Sequence, residues 1–189
     1  MSGRTAPLRV AVSALALSLA GFLGWKASEG FSGDPHVPTK GDVPTIGFGS
    51  TRYEDGTPVR LTDKPITRER AEQLARNLHS EEETRFRASL PGVSLTQGEY
   101  DLYIDFVGQY GIGNWSGSTM RKRLVATVTA SPAEKPALYR GACDALLNFR
   151  FAAGYDCSTT VNGRPNKRCW GSWERQQQRH AKCLAEQEG

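Results

Sequence analysis

The sequence predicts an α+β protein, with a small strand-bearing lobe followed by a larger helical lobe, both preceded by an apolar N-terminal helix. Three patterns lead there. After residue 66, apolar residues recur at helical spacing between recognisable caps. Before it, "VPTIGFGSTRYEDGTPVR" is rich in β-type residues and carries an Asp55-Gly56 hairpin turn. At the N-terminus, Val10 to Trp25 is an uncharged run of 16 residues. The implied boundaries are 1–28 for the N-terminal segment, 29–66 for the hairpin lobe and 67–189 for the helical lobe.

The N-terminal run has the layout of an export signal, with Arg4 and Arg9 before it and Lys26 after it. Half of it is Ala, Ser and Gly, mixed with four Leu, two Val, one Phe and one Trp. A stable membrane helix needs ~20 strongly apolar residues, so this one inserts only marginally. Three readings stand: a cleaved signal peptide, a permanent anchor, and a weak anchor that later leaves the bilayer. No A-x-A cleavage site follows the run, since Trp25 would occupy the minus-three position for cleavage after Ala27. The positive-inside rule keeps Arg4 and Arg9 in the cytoplasm and sends the rest of the chain across.

The helices follow in order. "ITRERAEQLARNLHSEEETRFRASL" places Ala71, Leu74, Ala75 and Leu78 on one face after Thr67 as N-cap, and Pro91-Gly92 ends it. "TQGEYDLYIDFVGQYG" opens with a Thr96/Glu99 capping box and carries a core stripe of Tyr103, Phe106, Val107 and Tyr110. Gly111-Ile112-Gly113-Asn114 interrupts the chain before a short helix around "STMRKRLV". Another helix is expected from Ser131, Pro132 and Glu134, and a last one from Trp170.

Composition narrows the function. With 38% hydrophobic and 23% charged residues, the 189-residue chain is an ordinary globular protein. Setting aside Arg4 and Arg9, 22 basic residues face 20 acidic ones, so no nucleic-acid partner is indicated despite a pI of 9.0. "GFGST" lacks the lysine and spacing of a phosphate loop, and no GxSxG occurs. His36, His79 and His180 are scattered, without the spacing of a zinc hydrolase, so no metal is expected. The four cysteines, Cys143, Cys157, Cys169 and Cys183, suit disulfides in an exported chain rather than a thiol nucleophile. The polar loop "CSTTVNGRPNKRC" favours Cys157 with Cys169, a closure worth roughly 3 kcal/mol on the chain-entropy model. Cys143 with Cys183 would then join two helices.

One carboxyl group stands out. Glu29 lies just beyond the apolar run and before a hairpin bearing hydroxyls, an arrangement suited to glycosidic cleavage. That reaction needs an acid to protonate the leaving oxygen and a second polar group to hold or activate water on the opposite face of the sugar.

The residues around it carry a resemblance. Glu29-Gly30 followed by Thr45-Ile46-Gly47-Phe48-Gly49-Ser50-Thr51 resembles the active-site signature of the phage lysozymes, or endolysins, of glycoside hydrolase family 24. "LTQGEYDLYIDFVGQYGIGNWSGSTMRKRL" is similar to that family's central helix and Gly turn, and "CWGSWERQQQRHAKCL" to its terminal helix. The likeness covers nearly all of residues 29–186. It implies a lysozyme-like fold and hydrolysis of the β-1,4 bond between N-acetylmuramic acid and N-acetylglucosamine in peptidoglycan, causing host cell lysis. By the same resemblance Glu29 is the general acid and Thr45 a water-positioning hydroxyl, while Gln109 and Tyr110 contact substrate. Counting back from Thr45 puts Thr39 where the family has Asp or Cys, one residue late, and Asp42 is the nearest acid; either would polarise the water. No cofactor is implied. Some exported endolysins resemble the N-terminal design too, with an anchor that inserts inactive and is later released. The expected partners are peptidoglycan and the inner membrane, the expected state a monomer. Its location would be the inner membrane and then the periplasm. Two other readings stay open: a wall-binding module of lysozyme shape without catalysis, and a wall amidase or peptidase.

Overall fold

The computed structural model describes residues 8–38, 41–152, 154–161, 164–165 and 167–188, without the side chains of residues 25, 27–29 and 161. In chain order the elements are β1 (Val10–Ala11), α1 (Leu19–Glu29), β2 (Ser32–His36), β3 (Thr45–Gly47), α2 (Arg68–Ala88), β4 (Ser94–Leu95), α3 (Gln97–Gly117), α4 (Thr119–Ala126), α5 (Lys135–Asp144), β5 (Phe151–Ala152), β6 (Tyr155–Asp156), β7 (Thr160–Val161), β8 (Arg164–Pro165) and α6 (Trp170–Ala185). The chain divides into two compact units, Leu17–Phe86 and a second made of residues 1–16 with 87–189.

The Leu17–Phe86 unit is built on α1, the β2–β3 pair and α2. Ser18 caps α1 by accepting the Gly21 N–H at 3.0 Å. β2 and β3 are antiparallel, with Ser32 opposite Gly47, His36 opposite Thr45, and a bulge between those two pairs. Two apolar clusters hold the unit. Phe22, Phe48, Ala71 and Ala75 form one, with Leu17 and Ile66 against it; Ile46, Val59 and Leu74 form the other. Gly47 has φ 68°, and a Cβ there would come within 2.9 Å of the Ala71 Cβ, so only glycine lets β3 lie this close to α2. Beyond β3, Glu54 takes both guanidinium nitrogens of Arg70, at 2.6 and 2.8 Å, and ties the following turn to α2.

The second unit is helical. The expected capping box at Thr96 and Glu99 is present at the start of α3. Tyr100, Tyr103, Phe106, Val107 and Trp115 are buried along it. At Gly111, φ 81° interrupts the helix, which then resumes to Gly117. Ser131 and Glu134 bond each other in a turn, and the helix expected there begins only at Lys135. Cys143 on α5 is bonded to Cys183 on α6, and Cys157 to Cys169. The loop closed by the second bridge holds the β7–β8 hairpin.

The apolar N-terminal run corrects the expectation of one preceding helix. Val10 and Ala11 pair with Leu95 and Ser94, Val12 to Ala14 form a 3-10 turn, and the helix starts only at Leu19. Among the described residues, no helix is long and apolar enough to cross a membrane. The physical reason is tertiary. The Val12 N–H finds the Val93 carbonyl at 2.9 Å, so the backbone is satisfied without helix. Val12 and Leu15 are buried within the helical unit and Phe22 within the other. Arg9, expected to stay outside the globule, gives two hydrogen bonds to the Glu99 carboxylate, at 2.8 and 2.9 Å. Its guanidinium also lies 3.7 Å from the Tyr139 ring centroid.

Candidate active site

Glu29 is the last residue of α1, and Gly30 closes the helix. The Glu29 carboxyl group lies outside the described atoms, and so does Thr39. Asp42 is exposed in the connection between β2 and β3. Thr45 opens β3 and is 6% exposed. Its Oγ1 donates to the His36 carbonyl oxygen at 3.4 Å, leaving the hydroxyl's lone pairs to accept. Opposite Thr45 sits His36 itself, exposed on β2, with Nδ1 3.3 Å from the Asp34 carbonyl oxygen.

Local sequence explains the hairpin. Thr45 and Ile46 are β-branched residues suited to a pleated strand, and Gly47 and Gly49 take positive φ where the chain turns. Ile46, buried completely, anchors β3 in the core, and the Ile46–Ser50 bridge fixes the turn that follows.

Gln109 and Tyr110 belong to the other unit, on the last turn of α3 before Gly111. Gln109 Oε1 accepts from Arg179 Nη1 at 2.6 Å, so its amide NH2 is the end left to donate to a ligand. Arg179 is 3% exposed and also donates to Gln176 and to the Asp105 carboxylate. Burial pulls its pKa down, against the opposing pull of Asp105. The Tyr110 ring stacks on Phe106, with centroids 4.8 Å apart, and its hydroxyl donates to the Phe149 carbonyl at 3.3 Å. Burial raises its pKa, which keeps the phenol neutral.

The structure thus brings Thr45 and Asp42 onto one hairpin and Gln109 and Tyr110 onto one helix end. Sequence reasoning singled out neither the pairing of His36 with Thr45 nor the contact of Arg179 with Gln109. The bulge sets the His36–Thr45 register, and a bulge leaves no reliable mark in sequence. Arg179 had a faint signal, a basic residue three places after Gln176 on an amphipathic helix.

The residues available can hold an attacking water with a hydroxyl and donate to a polar ligand from an amide. Among the described residues no group of three or more His, Cys, Asp or Glu could hold a metal ion. Comparison with known proteins agrees in fold. An endolysin from Escherichia coli O157:H7 phage FAHEc1 superposes with TM-score 0.67 at 24% identity, covering 90% of this chain and 94% of that one. A lysozyme mutant of phage P22 gives TM-score 0.63 at 24% identity over 90% and 99%. The muramidase domain of SpmX from Asticaccaulis excentricus gives 0.64 at 19% over 89% and 97%. No curated protein sequence matches significantly. The phage lysozyme family profile matches residues 26–166, taking in the Glu29-Gly30 step, the whole hairpin and α3, and the chain therefore belongs to the phage lysozyme family.

Proposed function

We propose that this chain is an exported endolysin that cleaves the bond between N-acetylmuramic acid and N-acetylglucosamine, with Glu29 as general acid and Thr45 holding the attacking water. Its class is that of the family, a lysozyme-type glycoside hydrolase acting on peptidoglycan. The observation that carries the residue assignment is the hairpin: β3 begins with the Thr45 hydroxyl, pinned to β2, a short stretch after the helix that Glu29 ends. In the reaction the Glu29 carboxyl gives its proton to the departing oxygen, and a water oriented by Thr45 adds to the anomeric carbon. Thr39 or Asp42 would polarise that water. Gln109 would donate its amide hydrogens to a sugar oxygen, and Tyr110 would offer its ring face.

The deciding experiment follows purified peptidoglycan for new reducing ends and for free amines. Reducing ends that disappear with Glu29→Gln support the assignment, and activity intact in that variant refutes it. Free amines in their place would favour the amidase or peptidase reading.

The apolar N-terminus fits a tether that inserts in the inner membrane and later joins the globule, active in the periplasm as a monomer. In support, Val12, Leu15 and Phe22, which lipid would otherwise cover, have core positions ready for them. Replacing Ala20, Gly21 and Gly24 with Leu makes the run more apolar, and lysis should then be delayed. Unchanged lysis timing would count against a tether of this kind.

A further inference from the structure

We propose that His36 is the base that takes the proton from the attacking water, a role resting on the assignment of Thr45 and Glu29 above. Four observations converge on it. His36 and Thr45 are directly opposite partners in the β2–β3 pair. Directly opposed residues of an antiparallel pair project from the same face, with Cβ atoms about 4.5–5.5 Å apart, so one water can reach both side chains. The Thr45 hydroxyl spends its hydrogen on the His36 carbonyl and can only accept from that water. A carbonyl oxygen can only accept, so the ring nitrogen beside the Asp34 carbonyl, Nδ1, carries the hydrogen of the neutral imidazole. That leaves Nε2 without a hydrogen and its lone pair able to accept. Finally, the bulge before His36 sets four residue steps of β2 against two of β3, a device that re-aims a side chain at an edge.

The step balances. The water oxygen bonds to the anomeric carbon while one of its hydrogens moves to His36 Nε2; the other, donated to Thr45 Oγ1, stays on that oxygen as the hydrogen of the new hydroxyl. The bond from that carbon to the bridging oxygen breaks, and the oxygen leaves with the Glu29 proton. The imidazolium then releases its proton to solvent, and the Glu29 carboxylate regains one from solvent. Other ionisable groups described on and near the hairpin include Asp34 on β2, Asp42 in the connection, Arg68, which stands 4.6 Å from the Phe31 ring, and Lys26, which stands 5.8 Å from the Phe48 ring and pairs with Glu72. β3 itself, Thr-Ile-Gly, has none.

The test uses the full chain on purified peptidoglycan. His36→Ala should lower kcat about 100-fold with KM within about twofold, the size expected for a lost general base. The acid limb of the kcat/KM profile should disappear in the variant, and imidazole added to the buffer should restore part of the rate. His36→Asn, whose amide can still donate to the Asp34 carbonyl, should be equally slow, separating the base from the local hydrogen bond. The proposal is overturned if His36→Ala keeps kcat within about threefold, or if activity falls with an unchanged pH profile and no response to imidazole. Glu29→Gln separates the two levels: inactive Glu29→Gln beside active His36→Ala removes only the base, whereas active Glu29→Gln removes the acid on which both depend.

Discussion

Glu99 is 1% exposed, and its carboxylate accepts from Arg9, from Gln187 and from the Thr96 N–H. A buried carboxylate that loses its cation is left with an uncompensated charge. Arg9→Met should therefore cost about 3 kcal/mol, read from urea unfolding, and Glu99→Gln in the same chain should recover part of it because a neutral amide needs no cation. A single-variant loss below about 1 kcal/mol, the range of surface pairs, would contradict this. Glu54 behaves differently, being partly exposed. Hydrogen bonding to Arg70 is the main cause holding its pKa at about 2, against an ordinary 4.5. Because the folded pKa is depressed, the contribution of the pair is complete above about pH 4.5 and is lost as pH falls toward 2. In Glu54→Gln, acid titration of stability across that window should be flatter than in the wild type, by a small amount.

At the scale of elements, α3 owes its start to a local device: Thr96→Ala removes the acceptor for the Glu99 N–H and should cost about 1 kcal/mol. Thermal unfolding measures it. Devices of that sort are legible in the amino-acid sequence alone, because caps, apolar spacing and breakers act within a few residues. Hence α2, α3, α4 and α6 match their expected positions, and Gly111 interrupts α3 as its sequence suggests. The β1–β4 pairing was not legible, since Val10 and Leu95 are far apart in the chain and each strand has only two residues. Nor could hydropathy distinguish lipid from protein interior as the destination of Val12 and Phe22, because both solvents reward the same side chains. On the hairpin, Thr45 was named through the resemblance of the Thr45–Thr51 stretch to the phage lysozyme signature, while its partner across the strands, His36, depended on how many residues the bulge absorbs.

Over the whole molecule, the Cys143–Cys183 bridge closes a sequence separation of 40 and fastens α5 to α6. On the chain-entropy model its loss is worth roughly 4 kcal/mol. Replacing both cysteines with serine should lower the denaturation midpoint by more than the equivalent change at Cys157 and Cys169, whose separation is 12. Equal effects would mean that strain or residual structure outweighs loop length. Gln109→Ala should raise KM on peptidoglycan with kcat little affected, the mark of a lost binding contact, and should also lower stability, because it takes an acceptor from the buried Arg179 guanidinium.

Arg9, Val12 and Leu15 also bear on how the protein is handled. Trimming the first sixteen residues, a familiar remedy when a greasy leader spoils expression, would delete a strand, two interior side chains and the guanidinium that Glu99 depends on. The shortened product should be the less soluble one, with the leader serving as a missing wall of the globule rather than as packaging.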